Sequence, residues 1–326
     1  MIVTNRIFAH DAGVLWTKAT DGKGEYAQPS VVGNKETLLA DPGNEYVAIH
    51  EAGEALFVGH AAVEQSRFKR WLRQDDKVAS PEYRTMLLAS AGIVLGPGQH
   101  RVHYAGGLPL AHWNQKDALL GVLNKVSGVA YSVSQGERQY TTSLHIADAL
   151  ILPQPYGSLA DASLDDSGQA LGCAVQTRRG TMDLANCRVM VVEIGSHTAH
   201  LLVVDRMKPL VGESKSLPYG IATAYEAIGA AMNGLPAWEV DRRLMGGTLR
   251  TDGAAFRELA AAITAEARGL NANVDLYFVS GGGGQRLYSH LLEREPKILH
   301  SRAFTGNLWG FFELGGRKWN RGTGVA

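Results

Sequence analysis

Cysteine is scarce. The 326 residues include two, Cys173 and Cys187. That is too few for a disulfide framework or a thiolate metal cluster, and a reducing compartment is the expectation. An excess of charge of either sign is also missing, since 32 Lys plus Arg balance 32 Asp plus Glu. A balanced chain offers no broad basic face to nucleic acid or to an anionic membrane. No apolar run approaches the ~20 residues that cross a bilayer. Residues 1–6 lack the charged start and apolar core of a secretory leader, so a soluble cytoplasmic protein is expected. His50 and His60 have no acid or second histidine at a ligand spacing, which argues against a metal site there. Low-complexity tracts and heptad runs are absent as well.

Glycine, by contrast, is plentiful. Its 38 residues gather at turns between apolar runs, as a strand-rich α/β chain requires. The length suits two domains and a large core. The most informative stretch is 189–205. Two Val- and Leu-rich runs flank the turn Gly195-Ser196-His197-Thr198, too short for a helix, and Glu193 closes the first run. Buried strands read this way, so the stretch is a β-hairpin with an acid at its tip. Its turn N–H groups can cradle a phosphate, and its acid can hold a metal ion or a water. Residues 7–19 repeat the device: an apolar entry, Asp11, Gly13, and an apolar exit carrying Lys18. A third piece, the strand-like run 274–280, leads into Gly281, Gly282, Gly283 and Gly284. Glycine there permits close backbone approach to a flat ligand.

Two acid-x-Gly hairpins followed by a late strand and a Gly-rich turn resemble the actin, sugar-kinase and heat-shock-chaperone ATPase superfamily. The likeness covers most of the chain and is nearest to the bacterial and archaeal actin-like proteins of the ParM type. It implies a two-domain α/β fold of ribonuclease H-like domains, each a mixed five-stranded sheet with helices and a smaller outer subdomain, and a nucleotide cleft between. Domain I would comprise 1–156 plus 305–326, with 30–80 as its outer part. Domain II would comprise 157–304, with 216–272 outermost.

The resemblance also assigns roles. Asp11 and Glu193 face one another and hold Mg²⁺, and N–H groups near Gly13 and across Gly195, Ser196, His197 and Thr198 bind phosphates of ATP or GTP, with Lys18 adding positive charge. Gly220, before a helix expected over 221–232, approaches the nucleotide, and Gly281, Gly282 and Gly283 touch the adenosine. Gln154 is either the residue that orients the attacking water or a turn glutamine. Relatives usually carry Asp where Glu193 stands and a polar or acidic residue near His200, which is either a strand residue or a base. Arg257 and Glu258 are ribose candidates or a solvated helix face. The basic stretch 66–77, with Arg67, Lys69, Arg70, Arg73 and Lys77, is a solvated face or a filament contact. Helices are expected from Pro81 to a stop at Gly92, over 117–123, and beginning at Ser158, with 170–175 continuing that last one.

Three functions fit the resemblance. The first is an ATPase that self-assembles into filaments, with an adaptor protein, for plasmid or cargo segregation. The second is a nucleotide-dependent regulator that does not polymerise. The third is a small-molecule kinase.

Overall fold

Both hairpins form. The computed structural model describes residues 6–35, 47–51, 54–72, 77–164, 174–177, 180–270, 273–294, 298–300 and 305–319; Arg73 and Cys173 lie outside them. Arg6–Ala12 pairs with Trp16–Thr20, and Arg188–Ile194 with Ala199–Asp205, both antiparallel. Each first strand also pairs in parallel with a later one, Gly98–Leu108 in the first case and Leu276–Ser280 in the second. These strands are covered on both faces, which is why their sequences run apolar without alternating.

The first sheet has ten strands rather than five. The cause is Arg138–Pro153, a single strand of 16 residues. Its Thr142–Pro153 portion pairs with Gly98–Leu108, while Arg138–Ser143 pairs with Ala130–Gln135. The hydrogen-bonded path therefore runs on from the main body into the outer strands. The second sheet has six strands, of which five follow one path and Lys215–Leu217 shares the edge of Ala199–Asp205.

Helices cover the outer faces. Pro81–Leu95 packs on the first sheet through Met86, Leu87 and Leu88, and Ala254–Gly269 on the second through Leu259 and Ile263. Between the sheets lie two more helices. Tyr156 and Leu159 of Gln154–Asp161 pack against the second sheet, and Leu308 and Phe311 of Gly306–Trp319 against the first. These two helices meet backbone to backbone: a Cβ on Gly310 would lie 1.8 Å from the Gly157 carbonyl oxygen.

Several local expectations change. The helix from Pro81 continues to Leu95, capped by Ser80, whose Oγ accepts from the Tyr83 N–H. Gly92 is not its stop; it lets the helix approach Val133, whose Cγ2 would be 2.5 Å from a Cβ there. The helix expected at Ser158 begins at Gln154, because Pro155 suits a first turn. Ala174–Thr177 is a strand paired with Gly180–Asp183, not a continuation of that helix. The four late glycines open the helix Gly281–Arg294 rather than forming a turn. Trp238 and Met245 project from Ala237–Met245 as exposed apolar residues. Among the described residues no helix is long and apolar enough to cross a membrane.

The helix contact predicts an asymmetry among glycines. Gly310→Ala should cost ~3 kcal/mol, because the clash is with main chain that cannot yield. Gly121→Ala, on Lys116–Val126 where a Cβ meets nothing within 4 Å, should gain ~0.5–1 kcal/mol from helix propensity alone. Urea denaturation of the two variants reads both numbers.

Candidate functional site

A cavity of about 530 Å³ lies between the two sheets. Both hairpin tips reach it. Asp11, Gly13 and Lys18 come from the first, and Glu193, Gly195, Ser196, Thr198 and His200 from the second. Gln154, Gly281, Gly282 and Gly283 complete the set of expected residues that line it. Four expected residues do not. His197 is exposed beside Ser196. Gly220 acts from behind: a Cβ there would lie 2.6 Å from the carbonyl oxygens of Gly195 and Ser196. Arg257 and Glu258 are exposed and away from the cavity, as a solvated helix face.

Each turn is fixed by hydrogen bonds. The Gly13 N–H donates to the Trp16 carbonyl at 2.9 Å, and the Gly195 N–H to that of Thr198 at 2.8 Å. Ser30 clamps the first turn, its N–H donating to the Leu15 carbonyl at 2.8 Å and its Oγ to that of Gly13 at 2.7 Å. The second turn is held by the start of Ile221–Ala230, where the N–H groups of Ile221 and Ala222 donate to the Gly195 and Ser196 carbonyls at 3.0 and 2.8 Å.

Four helices begin here, at Gln154, Gly306, Ile221 and Gly281. Their N-terminal ends carry partial positive charge, which favours an anion. They also ease the burial of two carboxylates. Asp11 is bonded at both oxygens, Oδ2 accepting from Lys18 Nζ at 2.8 Å and Oδ1 from Gln154 Nε2 at 2.9 Å. Glu193 accepts at Oε1 from Asn307 Nδ2, while its buried Oε2 finds no donor among the described residues. Asn307 is itself fixed, its Oδ1 accepting from Ser158 Oγ at 2.6 Å and from the Ser158 N–H at 3.1 Å.

The groups titrate far from their ordinary ranges. Burial, and then the Asp11 charge, push the Glu193 carboxyl up to about 7. Burial keeps His10 and His200 neutral, down at about 3. His200 is bonded to Ser216 Oγ at 2.9 Å, which fits a buried strand residue better than a free base. Lys77 is 3% exposed and also lines the cavity. Burial lowers its ammonium to about 8 although Asp11 and Glu193 pull it upward.

Lys77 and Asn307 escape a reading of the sequence. Lys77 belongs to the basic stretch expected as a solvated face or a filament contact, but it is buried against the cavity; Asn307 sits in a stretch whose visible feature is its small residues. Ile221, Tyr225, Asp241, Met245 and Arg286 form a further, part apolar, part charged wall of the cavity. Burial and Asp241 raise the Tyr225 phenol above its ordinary range.

The family model described as the N-terminal domain of actin-like proteins matches residues 9–157. Among solved structures, apo psk41 ParM is similar with a TM-score of 0.74 at 16% identity, over 97% of this chain and 98% of that one. A 15-stranded ParM filament from Clostridium botulinum gives a TM-score of 0.74 at 19% identity, over 97% and 100%. Bacillus thuringiensis ParM with ATP gives 0.62 at 14% identity, over 96% and 99%. The chain has an actin-like fold of the ParM type. No curated protein sequence matches it.

In this actin-like fold the donor set fits Mg²⁺ in kind. Two hard carboxylates approach from opposite sheets, one with a buried oxygen left over, and this cation takes one or two carboxylates together with phosphate oxygens. Among the described residues no group of three or more His, Cys, Asp or Glu could form an all-protein metal cage.

Glu193 makes the ligand-free protein pH-sensitive in a defined direction. Its folded value of about 7 exceeds the ordinary 4.5. The stability it contributes is therefore complete below about 4.5 and is lost as pH rises through about 7. Glu193→Gln should be more stable than the parent by on the order of 3 kcal/mol at pH 8, with the gap closing at pH 5. His10 and His200 act in the opposite sense, but equally in both proteins, so denaturation of the pair at the two pH values reads Glu193 together with its pull on Lys77.

Proposed function

We propose that this actin-like protein binds a nucleoside triphosphate with Mg²⁺ between its two sheets, hydrolyses it, and assembles into filaments in the cytoplasm. The observation that carries the reading is the convergence of Asp11 and Glu193, from two different hairpins, on one cavity edged by turn and helix N–H groups. The two lobes would be 1–156 plus 305–326 and 157–304.

N–H groups of the turns beside Gly13, at Val14 and Leu15, and at Ser196 and Thr198 bind phosphate oxygens, and Lys18 adds positive charge beside them. Asp11 and Glu193 would hold the metal ion, which when bound neutralises charge on the phosphates. Gln154 donates its amide N–H to Asp11, which leaves its carbonyl oxygen to serve as the acceptor for the attacking water. That water's oxygen forms a bond to the γ-phosphorus as the bond to the β,γ-bridging oxygen breaks, leaving diphosphate and phosphate. Catalysis then rests on positioning and charge. Filament assembly is supported by the similar Clostridium botulinum ParM, and a triphosphate ligand by the Bacillus thuringiensis ParM with ATP. Plasmid or cargo segregation through an adaptor would follow from that kinship.

A second reading keeps nucleotide binding and drops polymerisation. It is favoured by Glu193, one methylene longer than the usual Asp and already tied to Asn307, which would shift a metal ion or water held there.

Light scattering with Mg²⁺ and ATP or GTP separates the two readings. Filaments give a rise above a critical protein concentration, together with phosphate release. Binding without a rise at any concentration leaves the switch. Gln154→Ala should lower phosphate release about 100-fold while nucleotide affinity stays within about threefold.

A further inference from the structure

We propose that Lys77 is the residue by which this site distinguishes a triphosphate from a diphosphate, through direct contact with the terminal phosphoryl group. The inference rests on the nucleotide binding proposed above.

Lys77 is almost wholly buried, yet it lines the cavity, so what exposure it keeps is toward the ligand space. Its charge acts on Asp11, Glu193 and Lys18, and it is felt in turn by His10 and His200. Those five groups come from both hairpins, which puts the ammonium at the level where the two carboxylates meet. Tyr225, Asp241 and Arg286 line the cavity as a separate wall, whose charges act on one another and not on Lys77. A nucleotide whose base meets the apolar part of that wall presents its last phosphate to the carboxylates, Gln154 and Lys77. A diphosphate leaves that position vacant.

The main chain around Lys77 is fixed before any ligand arrives. Its carbonyl accepts from the Ser80 Oγ at 2.9 Å and from the Ser80 N–H at 3.4 Å, and Ser80 caps the helix Pro81–Leu95. The next residue, Val78, is packed in the core. A cation positioned this way gains a charge-assisted contact at little cost in order. Lys18 is engaged by Asp11 at 2.8 Å, so the two lysines divide the work, one steadying the carboxylate and one meeting the phosphate.

Affinities for Mg²⁺-bound ADP and for Mg²⁺-bound AMPPNP, measured by displacement of a fluorescent nucleotide, test this. In Lys77→Met the AMPPNP dissociation constant should rise roughly 10- to 100-fold, as for loss of one hydrogen bond to a charged group. The ADP constant should change less than about threefold. Lys77→Gln carries the same expectation and serves if the methionine variant does not fold. Equal losses for both nucleotides, or no loss, overturn the assignment while nucleotide binding itself stands. A parent protein that binds neither nucleotide overturns both.

Discussion

The contact on which this molecule depends is the crossing of two helices between its sheets, where Gly310 of one abuts the Gly157 carbonyl of the other. No side chain separates them, so their separation is set by main chain alone. Each helix starts at the cavity with an amide side chain in its first turn. Gln154 reaches across to Asp11 on the first sheet, and Asn307 to Glu193 on the second. Each helix packs on the sheet opposite to the one its amide grips. The two carboxylates are thus oriented by a pair of helices that are themselves locked together, and a change in the crossing would move both.

The electrostatics follow from that enclosure. Two buried acids line one cavity beside two lysines and four helix N-termini. One acid, Asp11, is satisfied by a lysine and an amide. The other has a spare oxygen and a raised proton affinity, so the site is less well satisfied than the core around it. Such a site is poised for a cation and an anion together, since either alone leaves the balance uneven. His10 and His200 are buried close by and stay neutral, which keeps further positive charge away from the carboxylates.

Local features were legible in the sequence, and long-range ones were not. Both hairpins were readable because strand, acid, glycine and strand fall within about a dozen residues of one another. So was Gln154, at the end of a strand. The extent of the first sheet was not, because nothing local shows that 138–153 is one strand serving two sets of partners. The glycines at 281–284 promise close approach, and they deliver it by opening a helix against Ile194, a choice fixed by tertiary packing. Lys77 was hidden by its neighbours: Lys69 and Arg70 are exposed, while Lys77 turns inward just before a capped helix. Asn307 was hidden by distance, 114 positions from the glutamate it touches.

The long strand has a mechanical consequence. At ~3.3 Å per residue its 16 residues extend some 50 Å, from the outer strands at Arg138 to the residue before Gln154. Its register with Gly98–Leu108 slips once, between Ile146 and Asp148. Asp148, just past the slip, is pinned by Trp319 Nε1 at 2.9 Å and Lys318 Nζ at 2.8 Å, at the far end of the helix that carries Asn307. The strand is a lever with its fulcrum at that bulge. A small tilt at the Gln154 end becomes a larger swing at the rim of the molecule, along one continuous strand.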